Sequence, residues 1–190
     1  VGGHHPPTRL LTLGFRVSKL AFLVVGGDVR GRVSNQIETE TAQMLEYEYT
    51  TVINRPREEV FDYMQDISRE HEWQPNLREA EQIPEGEPGV GTQRRYVSEF
   101  MGRRFENVYV NTAYEPYHKV AYTTTPESDT QATGEIIWEE VEGGTRVTMR
   151  VEADVGGVLR FVPKGVIASV GKKELADSLA RVKSLLESPD

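Results

Sequence analysis

From residue 46 the chain alternates apolar and polar positions through Ile53 ("EYEYTTVI"), the period-two pattern of a half-buried strand. "NRPREEVFDYMQDI" then changes to helical spacing. Pro56 suits a first helical position, acids fill the first turn, and Val60, Phe61, Met64 and Ile67 share one face. A shorter helix over Ser68 to Trp73 is ended by Pro75, "LREAEQI" reads as a strand, and "PEGEPGVG" is a turn-rich break. Runs rich in β-branched and aromatic residues follow, bounded by turn chemistry at Gly102, at "YEPYHK" and at Gly143 with Gly144, which predicts a meandering antiparallel sheet. At the end, Val166, Val170, Leu175, Leu179, Val182 and Leu186 outline a long helix whose Lys172, Lys173, Asp177, Arg181 and Lys183 keep to water. Pro163 belongs to its first turn. Gly165 and Gly171 weaken its first half by about 1 kcal/mol each relative to Ala, and leave either room beneath the helix or close packing against the sheet.

The ribbon "GVGTQRRYVSEFMGRRFENVYV" (89–110) carries the most specific surface pattern. A two-residue turn with Gly102 in its first position pairs Phe100 with Phe105, Ser98 with Asn107 and Tyr96 with Tyr109, all on one face. The opposite face carries Glu99 with Glu106, Val97 with Val108 and Arg95 with Val110. The competing register pairs Glu99 with Arg104 and is expected to separate the rings onto two faces. Four rings interrupted by a hydroxyl and an amide describe a cavity wall better than a dry core, because a buried polar group without a partner costs about 1 to 3 kcal/mol. The expected ligand-binding residues are Tyr96, Ser98, Phe100, Phe105, Asn107 and Tyr109, joined by Trp138, which with Ile136 faces either cavity or core. Trp73 is expected to plug the junction of the short helices with the sheet.

Charge changes the picture in one respect. The net charge of −8 divides into +2 over residues 1–43 and −10 over residues 44–190. An acidic main domain disfavours nucleic acid and anionic membrane as partners. Residues 1–43 have a different composition, with Leu10, Leu13, Val17, Leu20 and Val24 at helical steps, and are expected to form a poorly ordered extension to a domain spanning 44–190. Their longest apolar run, Leu20 to Val25, is too short for a membrane span, and no small-residue cleavage site follows Arg9, Arg16 and Lys19, so a cytoplasmic location is expected.

Catalytic signatures are sparse. The chain has no cysteine, which removes disulfides and thiolate chemistry. "HEWQP" at His71 lacks a second histidine at zinc-binding spacing, and His4 with His5, or Glu115 with His118, makes no ligand set. Neither a metal nor a cofactor is expected. The glycine-rich stretches lack a strand-to-helix context for phosphate binding, and "ASVG" around Ser169 is no nucleophile elbow. His71 between Glu70 and Glu72 reads as exposed, and Arg94, Arg95, Arg103 and Arg104 read as solvated counter-charges rather than as a grip on an anionic head group.

The strand before "RPREEVFDYMQDISREHEWQPNL", the sheet opened by "GVGTQRR", the "AYEPYHKVAY" turn, "EEVEGGTRVTM" and the terminal helix together resemble the polyketide cyclase/dehydrase and lipid-transport family of the START-related (SRPBCC) superfamily, over residues 46–188. The resemblance implies an α+β helix-grip fold, a curved antiparallel sheet around a long C-terminal helix with two short helices after the first strand. It also implies binding or transport of a small hydrophobic molecule, lipid- or polyketide-like, between sheet and helix. A cyclase/dehydratase-type enzyme needs a titratable group inside that space, whereas a co-chaperone-like interaction module needs a filled interior and a broad exposed apolar patch. The sequence fixes neither the ligand nor the oligomeric state.

Overall fold

The computed structural model describes residues 44–100, 102–154 and 162–188, apart from the side chain of Phe100. The expected extension over residues 1–43 lies outside these. Seven strands, β1 (Met44–Ile53), β2 (Leu77–Ile83), β3 (Gln93–Phe100), β4 (Arg103–Glu115), β5 (Lys119–Thr124), β6 (Ala132–Val141) and β7 (Gly144–Asp154), accompany α1 (Arg57–Gln65), α2 (Glu70–Trp73) and α3 (Lys164–Glu187). The strands form one antiparallel sheet in the order β1-β7-β6-β5-β4-β3-β2. Consecutive strands from β2 to β7 are neighbours, and β1 closes onto β7. Among the described residues no helix is long and apolar enough to cross a membrane.

Local chemistry places the breaks. Pro56 stands one residue earlier than expected, at the N-cap of α1, and Pro163 holds the same position for α3. Gly143 and Gly144 turn β6 into β7 at φ +85° and +145°, and a Cβ on Gly144 would lie 2.1 Å from the Ile53 carbonyl oxygen. Only glycine fits both demands there.

α3 packs unevenly along its length. Its second half buries Leu179 and Val182 in a core with Ile53, Val60, Phe61, Met64, Trp138 and Val147. The first half exposes Val166 and borders an open space with Ile167, Val170 and Glu174. Of the two glycines there, Gly171 serves close packing, since its missing Cβ would lie 2.7 Å from the Tyr47 ring, while Gly165 has nothing within 4 Å.

The β3–β4 hairpin corrects the expected register. Phe100 pairs with Arg103, Ser98 with Phe105, and Tyr96 with Asn107. Gly102 therefore occupies the second position of the two-residue connection, at φ +72°. Glu99 stands opposite Arg104 instead of Glu106, so the repulsive pair disappears. This register keeps the rings on one face, because the slip is by two residues and side-chain alternation has period two.

Candidate ligand-binding site

The uneven packing leaves two adjoining chambers between the sheet and the helices. The outer one, about 310 Å³, lies beneath the first half of α3, and the inner one, about 120 Å³, lies under α1 and α2. They share Trp73, Gln74, Tyr109, Tyr122 and Met149.

Alternation along β3 and β4 brings most of the sequence-predicted residues to these walls. Ser98, Phe105, Asn107 and Tyr109 line the outer chamber, and Tyr96 with Tyr109 lines the inner one. The side chain of Phe100 lies outside the described residues. Trp138 lines neither chamber: it is 1% exposed and packs edge-on against Phe61 at 4.9 Å, because α1 crosses its strand there. Trp73 fills the helix–sheet junction and also borders both chambers.

A row of tyrosines crosses the concave surface. Tyr96 and Tyr109 are 5.4 Å apart and Tyr109 and Tyr122 5.3 Å, the latter pair perpendicular, an arrangement favoured by the ring quadrupoles. Tyr122 reaches this position because Gly134, its partner on β6, has no Cβ; one built there would fall 2.5 Å from the ring. Burial keeps the phenols protonated, raising Tyr47 and Tyr109 to about 12 and Tyr96 well above the usual value. They are neutral donors throughout the physiological range. Asn107 is 6% exposed, and its Oδ1 accepts from Thr130 N at 2.9 Å and Thr130 Oγ1 at 3.1 Å. Its oxygen is thus committed to holding the β5–β6 turn.

An ion pair that the sequence did not announce stands in the inner chamber. Glu70 is 2% exposed and Arg94 6%, and Arg94 Nη1 donates to Glu70 Oε1 at 2.6 Å. Arg94 Nη2 donates to the Gln65 carbonyl at 2.8 Å and to Gln82 Oε1 at 3.3 Å, and Gln74 Nε2 donates to Glu70 Oε2 at 3.2 Å. Burial lifts the Glu70 carboxyl to about 7, against the opposing pull of Arg94 and a hydrogen bond from Tyr96. The expectation of a solvated Arg94 is therefore wrong, and its partner Glu70 is buried with it. His71, the next residue after Glu70, is exposed as expected. Arg95 and Arg104 do face outward, onto carboxylates of β2 and β4.

The sequence reading also missed three wall residues. Tyr47 and Tyr122 share strand parity with apolar neighbours that were recognised. Glu174 falls in line with Val170 and Ser178 at four-residue steps on α3, a carboxylate interrupting the inward stripe. Burial raises its carboxyl, and Asn76 Nδ2 donates to its Oε1.

A sequence profile described as polyketide cyclase/dehydrase and lipid transport matches residues 44–187. The chain belongs to this family. No curated protein matches it. Among solved structures, the Zhui aromatase/cyclase from Streptomyces sp. R1128 is 15% identical, with a TM-score of 0.62 over 76% of this chain and 94% of that one. TTHA0849 from Thermus thermophilus is 19% identical (TM-score 0.60; 76% and 100%), and Ara h 8.0201 is 17% identical (0.57; 76% and 99%). At these identities the likeness is one of fold, the helix-grip arrangement of curved sheet and terminal helix.

Proposed function

We propose that this family member binds a small, largely apolar molecule between its sheet and α3 and carries it there. One observation supports the reading above others: the ring-walled chambers between the sheet and the helices, the larger of which, about 310 Å³ beneath the first half of α3, reaches the lower end of ligand-site sizes. Aromatic and aliphatic contact supplies affinity, and Ser98 with the neutral tyrosine hydroxyls supplies orientation. Native mass spectrometry of gently purified protein is expected to reveal a co-purifying hydrophobic compound. Tyr96→Ala and Phe105→Ala are expected to weaken retention by about tenfold, the equivalent of one lost partial ring contact. Val97→Ala, on the opposite face, leaves retention unchanged. Equal losses at all three positions count against this cavity face.

A cyclase/dehydratase-type activity on a polyketide-like substrate is the second reading, favoured by Glu70. A desolvated carboxyl near 7 exchanges a proton readily at neutral pH, and it stands beside the Tyr96 hydroxyl in the inner chamber. In that chemistry the Glu70 carboxylate takes a proton from a carbon between two carbonyls, and the Tyr96 hydroxyl, released from the protonated Glu70, donates its hydrogen bond to the oxygen that gains charge. Incubation with a 1,3-diketone in deuterated water checks it: wild type accelerates exchange at the central carbon and Glu70→Gln does not. The interaction-module reading lacks comparable support, since among the described residues the exposed large apolar side chains, Met44, Val52, Ile83, Val90, Tyr117, Val166 and Leu185, come from several elements and loops.

A further inference from the structure

The cavity's charge inventory is lopsided. Among the described residues lining the two chambers, the acids are Glu70, Asp154 and Glu174, and Arg94 is the only base. Both terminal nitrogens of Arg94 are engaged with Glu70, Gln65 and Gln82. Its Nε has no partner, but Glu70 at 2.6 Å already balances the guanidinium charge, so among these residues no uncompensated cation is left to receive an anionic head group.

Glu174 is the opposite case. It projects from α3 into the outer chamber beside Tyr47, Gly171 and Ser178. Its hydrogen-bond partner among the described residues is the neutral Asn76, which occupies one oxygen. Lys173, adjacent in sequence, is 72% exposed and pairs with Asp177 on the solvent side. From the sheet the Tyr47 and Tyr109 phenols, both neutral, interact with it electrostatically, and Asp154 of β7 lines the same chamber. A carboxylate offers about four lone-pair sites. Half-buried and served by one amide, Glu174 has unused acceptor capacity directed into the ring-walled outer chamber.

Resting on the ligand-binding reading, we infer that Glu174 anchors the head group of the bound molecule, and that the cavity takes amphiphiles ending in a hydrogen-bond donor, a hydroxyl or a protonated amine, and rejects carboxylates. An ammonium or hydroxyl completes the shell of the Glu174 carboxylate. A fatty-acid carboxylate would meet it as a like charge in a low-dielectric site, with no uncompensated cation among the described lining residues.

Decylamine, 1-decanol and decanoate share one tail and differ in the head, so competition against Nile red, an uncharged fluorophore, isolates the head group. At neutral pH decylamine is expected to displace the dye at concentrations at least about tenfold lower than decanoate, since the two charged heads differ in sign against one carboxylate. Decanol should also outcompete decanoate. Glu174→Gln, which keeps size and the Asn76 partner, should shrink the amine-to-carboxylate ratio to within about threefold. Decanoate binding as tightly as decylamine to the wild type overturns the inference, and so does an unchanged ratio in a folded Glu174→Gln protein. The wild-type ranking alone decides if that variant misfolds. Failure of Nile red and all three amphiphiles to bind is a different result, and it removes the ligand-binding reading itself.

Discussion

Arg94 and Arg95 are neighbours in sequence and opposites in environment. The pleat of β3 sends Arg94 inward, to a 2.6 Å pair with Glu70 at 6% and 2% exposure. It sends Arg95 outward, where Nε meets Glu106 at 2.6 Å and Nη1 meets Glu79 at 3.4 Å, with the carboxylates half exposed. Pair distance is the same in both places. What differs is the solvent: the inner pair has left water and depends on its partners, while the outer one is screened. The outer lattice also has a packing role, because Val97 lies in register between Glu79 and Glu106, beneath the arginine that joins them, and is 1% exposed.

The largest effect that would sharpen this contrast is Arg94→Ala, which strands a buried carboxylate and should cost about 3 to 5 kcal/mol in denaturant unfolding at neutral pH. That deficit should shrink as the pH falls, since a protonated Glu70 needs no counter-charge. The double replacement Arg94→Met with Glu70→Leu should recover most of the loss, because an apolar pair of similar volume is often tolerated at least as well. Next in size is the pH dependence of Glu70 itself. Its folded value, about 7, lies above the ordinary 4.5, so its contribution is fully present below about 4.5 and is lost as pH rises through about 7. Unfolding free energies of wild type and Glu70→Gln should therefore diverge across that window, with the wild type losing stability relative to the variant as pH rises. Smallest is Arg95→Ala, expected to cost about 0.2 to 1 kcal/mol and less in high salt. An Arg95→Ala loss equal to that of Arg94→Ala would break the comparison.

The same contrast shows what the sequence could carry. Strands and helices were legible because alternation and 3.6-residue spacing are local properties, and "LREAEQI" coincides with β2 to the residue. The face holding Tyr96, Ser98, Phe105, Asn107 and Tyr109 was legible for the same reason, even though the pairing across the hairpin was two residues out. Which turn position Gly102 takes depends on the turn's own backbone angles, and composition does not report them. Burial of Glu70 was not legible, since four residues of α2 between exposed neighbours carry no amphipathic signal, and only docking of that helix over β3 desolvates the carboxylate. Trp138 was ambiguous because cavity and core share the concave side of the sheet, and the crossing of α1 decides between them.

Gly134 and Gly171 give two wall tyrosines their seats, Gly134 from outside the lining of both chambers and Gly171 from within it. Adding a single methyl group at either site would push an aromatic plate into the hollow. At Gly134 the interior's capacity and outline are therefore set from behind its lining, and recontouring it takes one carbon atom at a position that a survey of lining residues would pass over.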